Sequence, residues 1–193
     1  MPGDRRTLDA RDDQDEATLL RAARAGDSSA LERLLAPYER PLYRLCLGVL
    51  RHAEDAEDAV RETVLRALRG IGRFRADSSV HTWLYRIAVN VCLERKRSRR
   101  PMGGSDELQR EPCVSLPFPD ESLVDRLQVL EALQALPPRQ RIMLLLKEVD
   151  GCTAAEIARV MRCSERRVYH ELHLAHRTLA QWRRDAAEEE GSL

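Results

Sequence analysis

Aromatic residues are scarce in this chain of 193 residues, which contains two Trp, four Tyr and two Phe. Three of them, Phe74, Trp83 and Tyr85, nevertheless fall within RFRADSSVHTWLYRIAVN, residues 73–90, beside several arginines and Asn90. An aromatic face can stack on an unpaired base and an amide can bond to base edges. The stretch is therefore a candidate pocket for an unstacked nucleotide.

The chain has no excess of charge of either sign, because 32 Lys and Arg balance 32 Asp and Glu. A neutral chain gains little nonspecific attraction to phosphate, so any binding to nucleic acid has to come from local basic patches. With 33% charged and 43% hydrophobic residues, the composition is that of a folded soluble protein.

Cysteine pairs and long apolar runs are also missing. The five cysteines, at 46, 92, 113, 152 and 163, form no CxxC pair, which argues against a disulfide framework or a zinc ribbon and favours a reducing cytoplasm. The first 16 residues lack the apolar core of a signal peptide, and no run approaches the roughly 18 apolar residues of a membrane helix. We expect a chain that is neither exported nor membrane-spanning.

Helical periodicity divides the chain into parts, and no segment shows a strand pattern. Residues 1–15 are polar and predict a disordered tail, and residues 16–100 predict a first helical domain. Residues 101–120 carry four prolines and two glycines, the composition of a flexible linker. Residues 121–185 predict a second helical domain, followed by an acidic tail at 186–193. The predicted fold class is all-α, with two small helical domains.

Two helices of the first domain bear most of its charge. In the segment from residue 52 to 71, the periodicity places Ala56 and Ala67 inside and the acidic residues outside, namely Glu54, Asp55, Glu57, Asp58 and Glu62. Acids at a helix start also have an ordinary role, since each stabilises the helix dipole by about 0.3 to 1 kcal/mol. In the helix from residue 80, the periodicity predicts an outer stripe of Trp83, Arg86, Asn90 and Arg97.

The carboxyl-terminal region predicts a helix-turn-helix. Thr153 and Glu156 have the spacing of a capping box, Ser164 can cap the second helix, and the turn falls at Arg162 and Cys163. The shared core is predicted to contain Ile157, Ala158, Met161, Val168, Leu172, Ala175 and Leu179. The second helix would present its first turns to a DNA groove. An ordinary helical hairpin with a solvated face is the alternative, but basic residues outnumber acidic ones in this region.

Neither a metal site nor an active site is indicated. His170, His173 and His176 lie near Cys163, but the outer two histidines diverge around a helix and no HExxH or CxxC accompanies them. A Walker loop and a GxSxG elbow are missing as well. We expect no catalytic residue, no metal and no cofactor.

Two features in this order closely resemble the extracytoplasmic-function (ECF) sigma factors of the sigma-70 family. They are AEDAVRET with RFRADSSVHTWLYRIAVN, and ALPPRQRIMLLLKEVDGCTAAEIARVM before the helix-turn-helix, and the match spans residues 17–182. The resemblance implies a bacterial transcription initiation factor that joins core RNA polymerase, selects promoters and assists their melting, and that is not an enzyme. The implied partners are the beta-prime clamp helices, the beta flap, promoter DNA and an anti-sigma factor.

The resemblance also implies three sets of site residues. Polymerase contact is implied for Asp55, Glu57, Asp58, Arg61 and Glu62. Reading of the minus-10 element as single strand is implied for Phe74, Arg75, Asp77, Ser78, Ser79, Trp83, Arg86, Asn90, Arg95 and Arg97. Reading of the minus-35 duplex is implied for Thr153, Ser164, Glu165, Arg166, Arg167, Tyr169, His170, His173 and Arg177.

The chain departs from the family pattern mainly in the second domain. Arg166 and Arg167 replace a Gly-Thr pair, and three commonly basic positions are Glu171, Leu174 and His176. Fewer phosphate contacts predict weak or altered minus-35 binding, so Glu171→Arg is predicted to tighten it. Two other functions stay open on the residues alone: a helix-turn-helix regulator that never binds polymerase, and a protein-interaction adaptor.

Overall fold

The structure, a computed structural model, describes residues 10–75, 77–98 and 131–190. The described residues are helical, with short connections and no strand among them. The α-helices are α1 (Ala10–Arg24), α2 (Ser28–Leu35), α3 (Glu39–Leu50), α4 (Ala53–Gly70), α5 (Val80–Ser98), α6 (Pro138–Glu148), α7 (Ala154–Met161) and α8 (Glu165–Glu190). The all-α prediction is confirmed. No helix in these ranges is both long and apolar enough to cross a membrane.

The ends of the helical parts differ from the prediction. Helix α1 begins at Ala10, so the amino-terminal tail predicted for residues 1–15 overlaps a helix from that residue onward. Helix α8 runs on to Glu190, into the predicted acidic tail. The predicted linker at 101–120 lies outside the described residues. Apart from these two helix ends, the boundaries of the two domains therefore stay predictions.

The amino-terminal domain consists of α1 to α5 and is held by two sets of buried side chains. One set joins α2 to the ends of α4 and α5 through residues such as Leu34, Ile71 and Leu84. The turn between α1 and α2 forms at Gly26, which has a left-handed φ of 99°, and the Asp27 side chain then accepts a hydrogen bond from the Ala30 amide. A glycine reaches this backbone region without the steric cost of a side chain.

Two buried cysteines join α3 to α5. The Sγ atoms of Cys46 and Cys92 lie 3.6 Å apart, and both residues are completely buried as free thiols. The hydrogen bond from Cys92, together with burial, raises the pKa of Cys46 well above its usual value. A thiol that stays protonated is a poor nucleophile, so this pair packs the core as two small hydrophobic groups.

The carboxyl-terminal domain comprises residues 131–190 with α6 to α8. Its core follows the sequence prediction: Ile157 and Val168 are fully buried, Leu172 and Ala175 face inward, and Leu179 is half-buried. Arg162 adopts the left-handed conformation at the end of α7, which reverses the chain between the two helices. The helix-turn-helix is thus formed from local signals that the sequence carries.

The two domains are packed against each other. Helix α3 contacts α6, and α5 contacts α7, so a single set of buried side chains continues from one domain into the other. The interface is polar in part: the Tyr85 hydroxyl of α5 donates a hydrogen bond of 3.1 Å to Oδ1 of Asp150, which lies between α6 and α7, and both residues are almost fully buried. The sequence prediction of two separate domains did not include this interface.

Candidate nucleic-acid interface

The exposed side of α4 bears an ion-pair cluster near its start. The Arg61 guanidinium donates to Asp58 Oδ1 at 2.7 Å and to Glu57 Oε2 at 3.0 Å, and all three side chains are more than half exposed. Exposed ion pairs contribute only about 0 to 1 kcal/mol each, because water competes for them. The two carboxylates can therefore exchange Arg61 for a basic partner at little cost.

Asp55 does not belong to this exposed cluster. The residue is 6% exposed, because it lies one turn before Ala59 and so faces inward with Ala56 and Ala59. The sequence prediction that placed Asp55 outside is wrong, and a buried carboxylate cannot offer itself to a protein partner. The charged side chains of the predicted set that α4 does expose are Glu57, Asp58 and Arg61, with the partly buried Glu62 beside them.

Ion pairs connect α4 to α5. Arg66 lies between Glu62 and Glu94, at 2.8 Å from each carboxylate, and the hydrogen bond from Arg66 lowers the pKa of Glu94. Arg95 lies 3.8 Å from Asp58. The side chain predicted to hold the DNA backbone thus also touches the acidic cluster, and the two candidate surfaces adjoin.

The outer stripe of α5 forms as the periodicity predicts. Asn90 and Arg97 are exposed, and Trp83 and Arg86 are partly exposed on the same side of the helix. Trp83 packs on α4, because the absence of a side chain at Gly70 lets the ring approach: a Cβ there would lie 3.3 Å from Trp83 Cζ2. An amide, an indole edge and two guanidinium groups therefore line one surface.

Phe74 has a different position from the one proposed for base stacking. The ring is 6% exposed and lies 4.9 Å from the Trp83 ring, centroid to centroid, in the core that contains Ile71, Val80 and Leu84. A buried ring has no free face for a base. The prediction that Phe74 itself stacks on a nucleotide is not compatible with this burial. Phe74 instead packs against the Trp83 ring in the core.

The loop between α4 and α5 combines exposed polar groups with a helix cap. Arg75, Asp77 and Ser79 are exposed and Ser78 is half-buried, while residue 76 lies outside the described residues. Ser79 Oγ accepts a hydrogen bond of 3.2 Å from the Thr82 amide, which is the geometry of an N-cap. Ser79 therefore fixes the start of α5, and Arg75 and Asp77 present the loop's charges to solvent.

Helix α8 presents its first turns to solvent as a recognition helix would. Ser164 Oγ accepts a hydrogen bond from the Arg167 amide at 3.3 Å and so caps the helix. The residues that the sequence predicts to face DNA are all exposed: Ser164, Glu165, Arg166, Arg167, Tyr169, His170, His173 and Arg177. Tyr169, at 63% exposure, is the most exposed large hydrophobic side chain among the described residues. This arrangement fits entry into a major groove.

Glu171 does not face solvent with them. Its side chain is 13% exposed and accepts hydrogen bonds from Gln140 on α6 at 3.0 Å and from Arg167 at 3.2 Å. A charge reversal at Glu171 would place an arginine beside Arg167 and break the bond to α6. The predicted gain from Glu171→Arg therefore has to be weighed against a loss of stability, and a neutral substitution is the better probe.

Thr153 serves as a helix cap. Its hydroxyl accepts a hydrogen bond from the Glu156 amide and donates one to Glu156 Oε2, while the Thr153 amide donates to the same carboxylate at 2.7 Å. Burial alone would raise the pKa of Glu156, but the hydrogen bonds from Thr153, together with the charges of His81 and Arg159, outweigh it and lower that pKa. The capping box predicted from the sequence is confirmed.

Thr153→Ala is expected to reduce the free energy of unfolding by about 1 kcal/mol at neutral pH, because the cap loses its hydroxyl. Since the folded-state pKa of Glu156 is depressed, its share of the stability is present above the unfolded pKa and is lost as the pH falls through the folded value. Urea unfolding at neutral and acid pH should show that Thr153→Ala lowers the free energy of unfolding less in acid than at neutral pH. Ser29→Ala, an exposed serine of α2, is the control. A loss in free energy of unfolding that grows in acid would contradict the role of Thr153 as a cap paired with the Glu156 carboxylate.

The histidines of α8 do not form a metal site. His170 and His173 are exposed, and His176 Nε2 lies 3.7 Å from Glu148. Within the described ranges there is no group of three or more His, Cys, Asp or Glu side chains placed to hold a metal ion.

The residues that the sequence analysis missed lie at the domain interface. Tyr85 and Asp150 meet there, and Arg44 lies 4.0 Å from the same carboxylate. Arg141 donates a 3.3 Å hydrogen bond to the Val49 carbonyl of the other domain. The signal in the sequence was weak. Tyr85 and Arg141 lie on the buried faces of α5 and α6, as the helical period would place them, but Arg44 is only partly buried and Asp150 follows the end of α6.

Family models match both domains of this chain. Residues 34–101 match Sigma-70 region 2, and residues 126–179 match Sigma-70, region 4. The first match contains α3 to α5 with the outer stripe, and the second contains the helix-turn-helix. The candidate surfaces on α4 and α5 thus fall within the region 2 match, and the exposed first turns of α8 fall within the region 4 match.

Characterised relatives span most of the chain. It is 34% identical to the ECF RNA polymerase sigma factor SigM of Mycobacterium tuberculosis, over 80% of this chain and 78% of that protein. It is 31% identical to the RNA polymerase sigma-H factor of Pseudomonas aeruginosa, over 78% and 84%.

Solved structures share the fold. They include CnrH in complex with the cytosolic domain of CnrY, with a TM-score of 0.69 and 21% identity over 87% of this chain and 96% of the other. RpoE of Bartonella quintana, in complex with the anti-sigma factor NepR, has a TM-score of 0.60 and 20% identity over 89% and 95%. Two family models in the order of regions 2 and 4, and relatives over 30% identical along most of their length, give one conclusion: the chain belongs to the ECF sigma factors of the sigma-70 family.

Proposed function

We propose that this sigma factor binds core RNA polymerase through the exposed cluster on α4, reads the melted minus-10 strand with α5, and reads the minus-35 duplex with α8. The observation that carries the proposal is the adjacency of the first two surfaces. Arg95 of α5 lies 3.8 Å from Asp58 of α4, so a polymerase bound to α4 would be next to the strand held on α5. The protein acts as an initiation factor in the cytoplasm and has no enzymatic activity of its own.

The α5 surface suits an unpaired strand better than a duplex. Asn90 offers an amide to a base edge, Trp83 offers an indole edge, and Arg86 and Arg97 offer charge to phosphates. Unstacking a base costs a few kcal/mol, and stacking on an aromatic group returns about 1 to 3 kcal/mol per base. Because Phe74 is buried, the aromatic contact with a base falls to the exposed edge of Trp83, and the planar guanidinium of Arg75 is the loop group that can stack.

Run-off transcription with purified core polymerase tests the proposal directly. A library of genomic promoters should give discrete transcripts only when this protein is added. A regulator that binds duplex DNA without polymerase would leave the core enzyme inactive on every promoter. An anti-sigma factor is the partner we propose for regulation, since RpoE of Bartonella quintana, which shares the fold, was solved in complex with the anti-sigma factor NepR.

Glu171→Gln is expected to tighten binding of the full chain to duplex DNA by about 2- to 5-fold at low salt. The substitution removes the carboxylate beside Arg167, and each additional bond to a phosphate steepens the salt dependence by a slope of about 0.9. The glutamine carbonyl can still accept from Gln140, so the fold is kept. Fluorescence anisotropy with a labelled duplex across a salt titration measures both quantities. Glu32→Gln on α2 controls for net charge, and equal slopes for the two variants would refute the phosphate contact.

A further inference from the structure

Tyr169 differs from the other aromatic residues of the chain in its exposure. Its side chain is 63% exposed, whereas the other aromatic side chains of the described ranges are buried or partly buried. A large ring that stays in water forgoes the stabilisation that burial of an apolar side chain gives. Tyr169 therefore contributes little to the fold of the free chain, and its ring is available to a partner.

The position of Tyr169 on α8 follows from the buried side of that helix. Val168, Leu172 and Ala175 face the core, and Ser164 caps the helix just before its first residue. Successive residues of a helix are rotated by about 100°, so Tyr169 lies on the outer side at the start of the second turn. The first turns of the second helix are the part of a helix-turn-helix that meets base edges. The ring thus lies where it can enter a major groove.

The exposed neighbours of Tyr169 on the helix surface are polar. Residues three and four positions away lie on its side of the helix, and the exposed ones are Glu165, Arg166 and His173. The other two exposed large hydrophobic side chains of the described ranges both lie on α4. The core of a protein interface is apolar and poor in charged residues. A single ring among polar and charged groups therefore suits DNA better than a protein partner.

An intact duplex offers an aromatic ring one specific apolar partner. Its bases are stacked, and most groups on the base edges in the major groove are hydrogen-bond donors or acceptors. The 5-methyl group of thymine also projects into that groove, and apolar side chains read it by direct contact. Arg166 beside the ring can meanwhile bind a phosphate or a guanine edge. The charge that duplex binding needs is thus supplied next to Tyr169, and the ring is left for an apolar contact.

We propose that Tyr169 is a specificity-determining residue of the minus-35 contact, whose ring packs on the 5-methyl group of a thymine. The inference rests on the proposed function of α8 and names the chemical group that this helix reads. Loss of the contact with one methyl group should weaken binding by about 3- to 5-fold. Because no charge takes part, this factor should not change with salt concentration, unlike the contribution of a phosphate contact.

Deoxyuridine substitution tests the contact, because deoxyuridine is thymidine without the methyl group. The full chain bound to core polymerase first enriches a minus-35 element from a library of randomised duplexes, with core polymerase alone as the background. Each thymine of that element is then replaced in turn by deoxyuridine, and affinity is measured by fluorescence anisotropy. With the wild type, one position should lose about 3- to 5-fold in affinity at both low and high salt. With Tyr169→Ala, the thymine and deoxyuridine duplexes should bind equally.

Tyr169→Phe is the matched control, because it keeps the ring and removes only the hydroxyl. It should discriminate thymine from deoxyuridine as the wild type does. A phenylalanine variant that behaves like the alanine variant would overturn the methyl contact, since the hydroxyl would then be the reading group. Both substitutions are at an exposed side chain, so circular dichroism should show the helical content of the wild type.

The remaining outcomes separate this inference from the proposed function. Discrimination that survives in Tyr169→Ala, or an enriched element without a thymine, would overturn the role of Tyr169 and leave duplex reading by α8 intact. A loss of affinity for core polymerase in Tyr169→Ala, with unchanged binding to the thymine and deoxyuridine duplexes, would overturn it in favour of a protein contact. If the wild type enriches no element over core polymerase alone, the proposed reading of the minus-35 duplex fails, and the role of Tyr169 fails with it.

Discussion

Asn90→Ala is expected to slow promoter opening by about 5- to 100-fold while leaving the affinity for core polymerase unchanged, since a good base-edge contact is worth about 1 to 3 kcal/mol. Asn90 is exposed on α5, so its loss should change the stability of the fold by no more than about 0.5 kcal/mol. Permanganate footprinting of unpaired thymines in the minus-10 element measures opening, and co-purification with core enzyme measures binding.

Related substitutions separate a base contact from a general effect of charge or size. Asn90→Asp keeps the shape but loses the amide donor and repels phosphate, so it should open promoters at least as poorly as the alanine variant. Ser98→Ala, at an exposed position near the end of the same helix, should be indistinguishable from wild type. Normal permanganate footprints with the Asn90→Ala variant would contradict the proposal that α5 is the surface that reads the unpaired strand.

The parts of the fold that could be predicted are those whose signals are local in the chain. Thr153 and Glu156 are three residues apart, and their capping box forms as the spacing requires. Ser164 caps α8, and Val168 and Leu172, four residues apart, face the same core. In each case the deciding interaction lies within one or two helical turns, where sequence spacing fixes geometry.

Two site predictions failed because residue type was given more weight than helical phase or burial. Asp55 was placed outside as an acid, although its position one turn from Ala59 puts it on the buried face. Phe74 was assigned to stacking because aromatic rings bind bases, yet a large apolar ring next to a core is stabilised most by burial. Helical phase therefore explains why Asp55 is buried, and the hydrophobic effect explains why Phe74 is.

The interface between the domains could not be predicted, because its partners are far apart in sequence. Arg141 and the Val49 carbonyl are 92 residues apart, and Tyr85 and Asp150 are 65 apart. The sequence around a buried arginine or aspartate does not indicate which distant group will pair with it. Helical periodicity identifies such residues as inward-facing, but only the packed structure identifies the opposing surface.

The ion pairs of α4 bear on how a polymerase would bind there. Arg61 neutralises Glu57 and Asp58 in the free chain, so the cluster attracts a basic partner only after Arg61 moves aside. At more than half exposure the cost of that movement is small. The two carboxylates then supply the attraction, and their contribution to association should weaken as salt increases.

The double charge reversal of Glu57→Lys with Asp58→Lys is expected to reduce affinity for core polymerase by about 10-fold or more, because two attractive charges become repulsive. The variant should remain folded, since like charges along a helix cost only about 0.2 to 0.5 kcal/mol per pair. Affinity measured by fluorescence anisotropy should recover part of the loss at high salt. Glu32→Lys with Glu39→Lys makes the same change in net charge at exposed positions of α2 and α3. If both double variants bind core polymerase equally well at every salt concentration, the α4 cluster is not the docking surface.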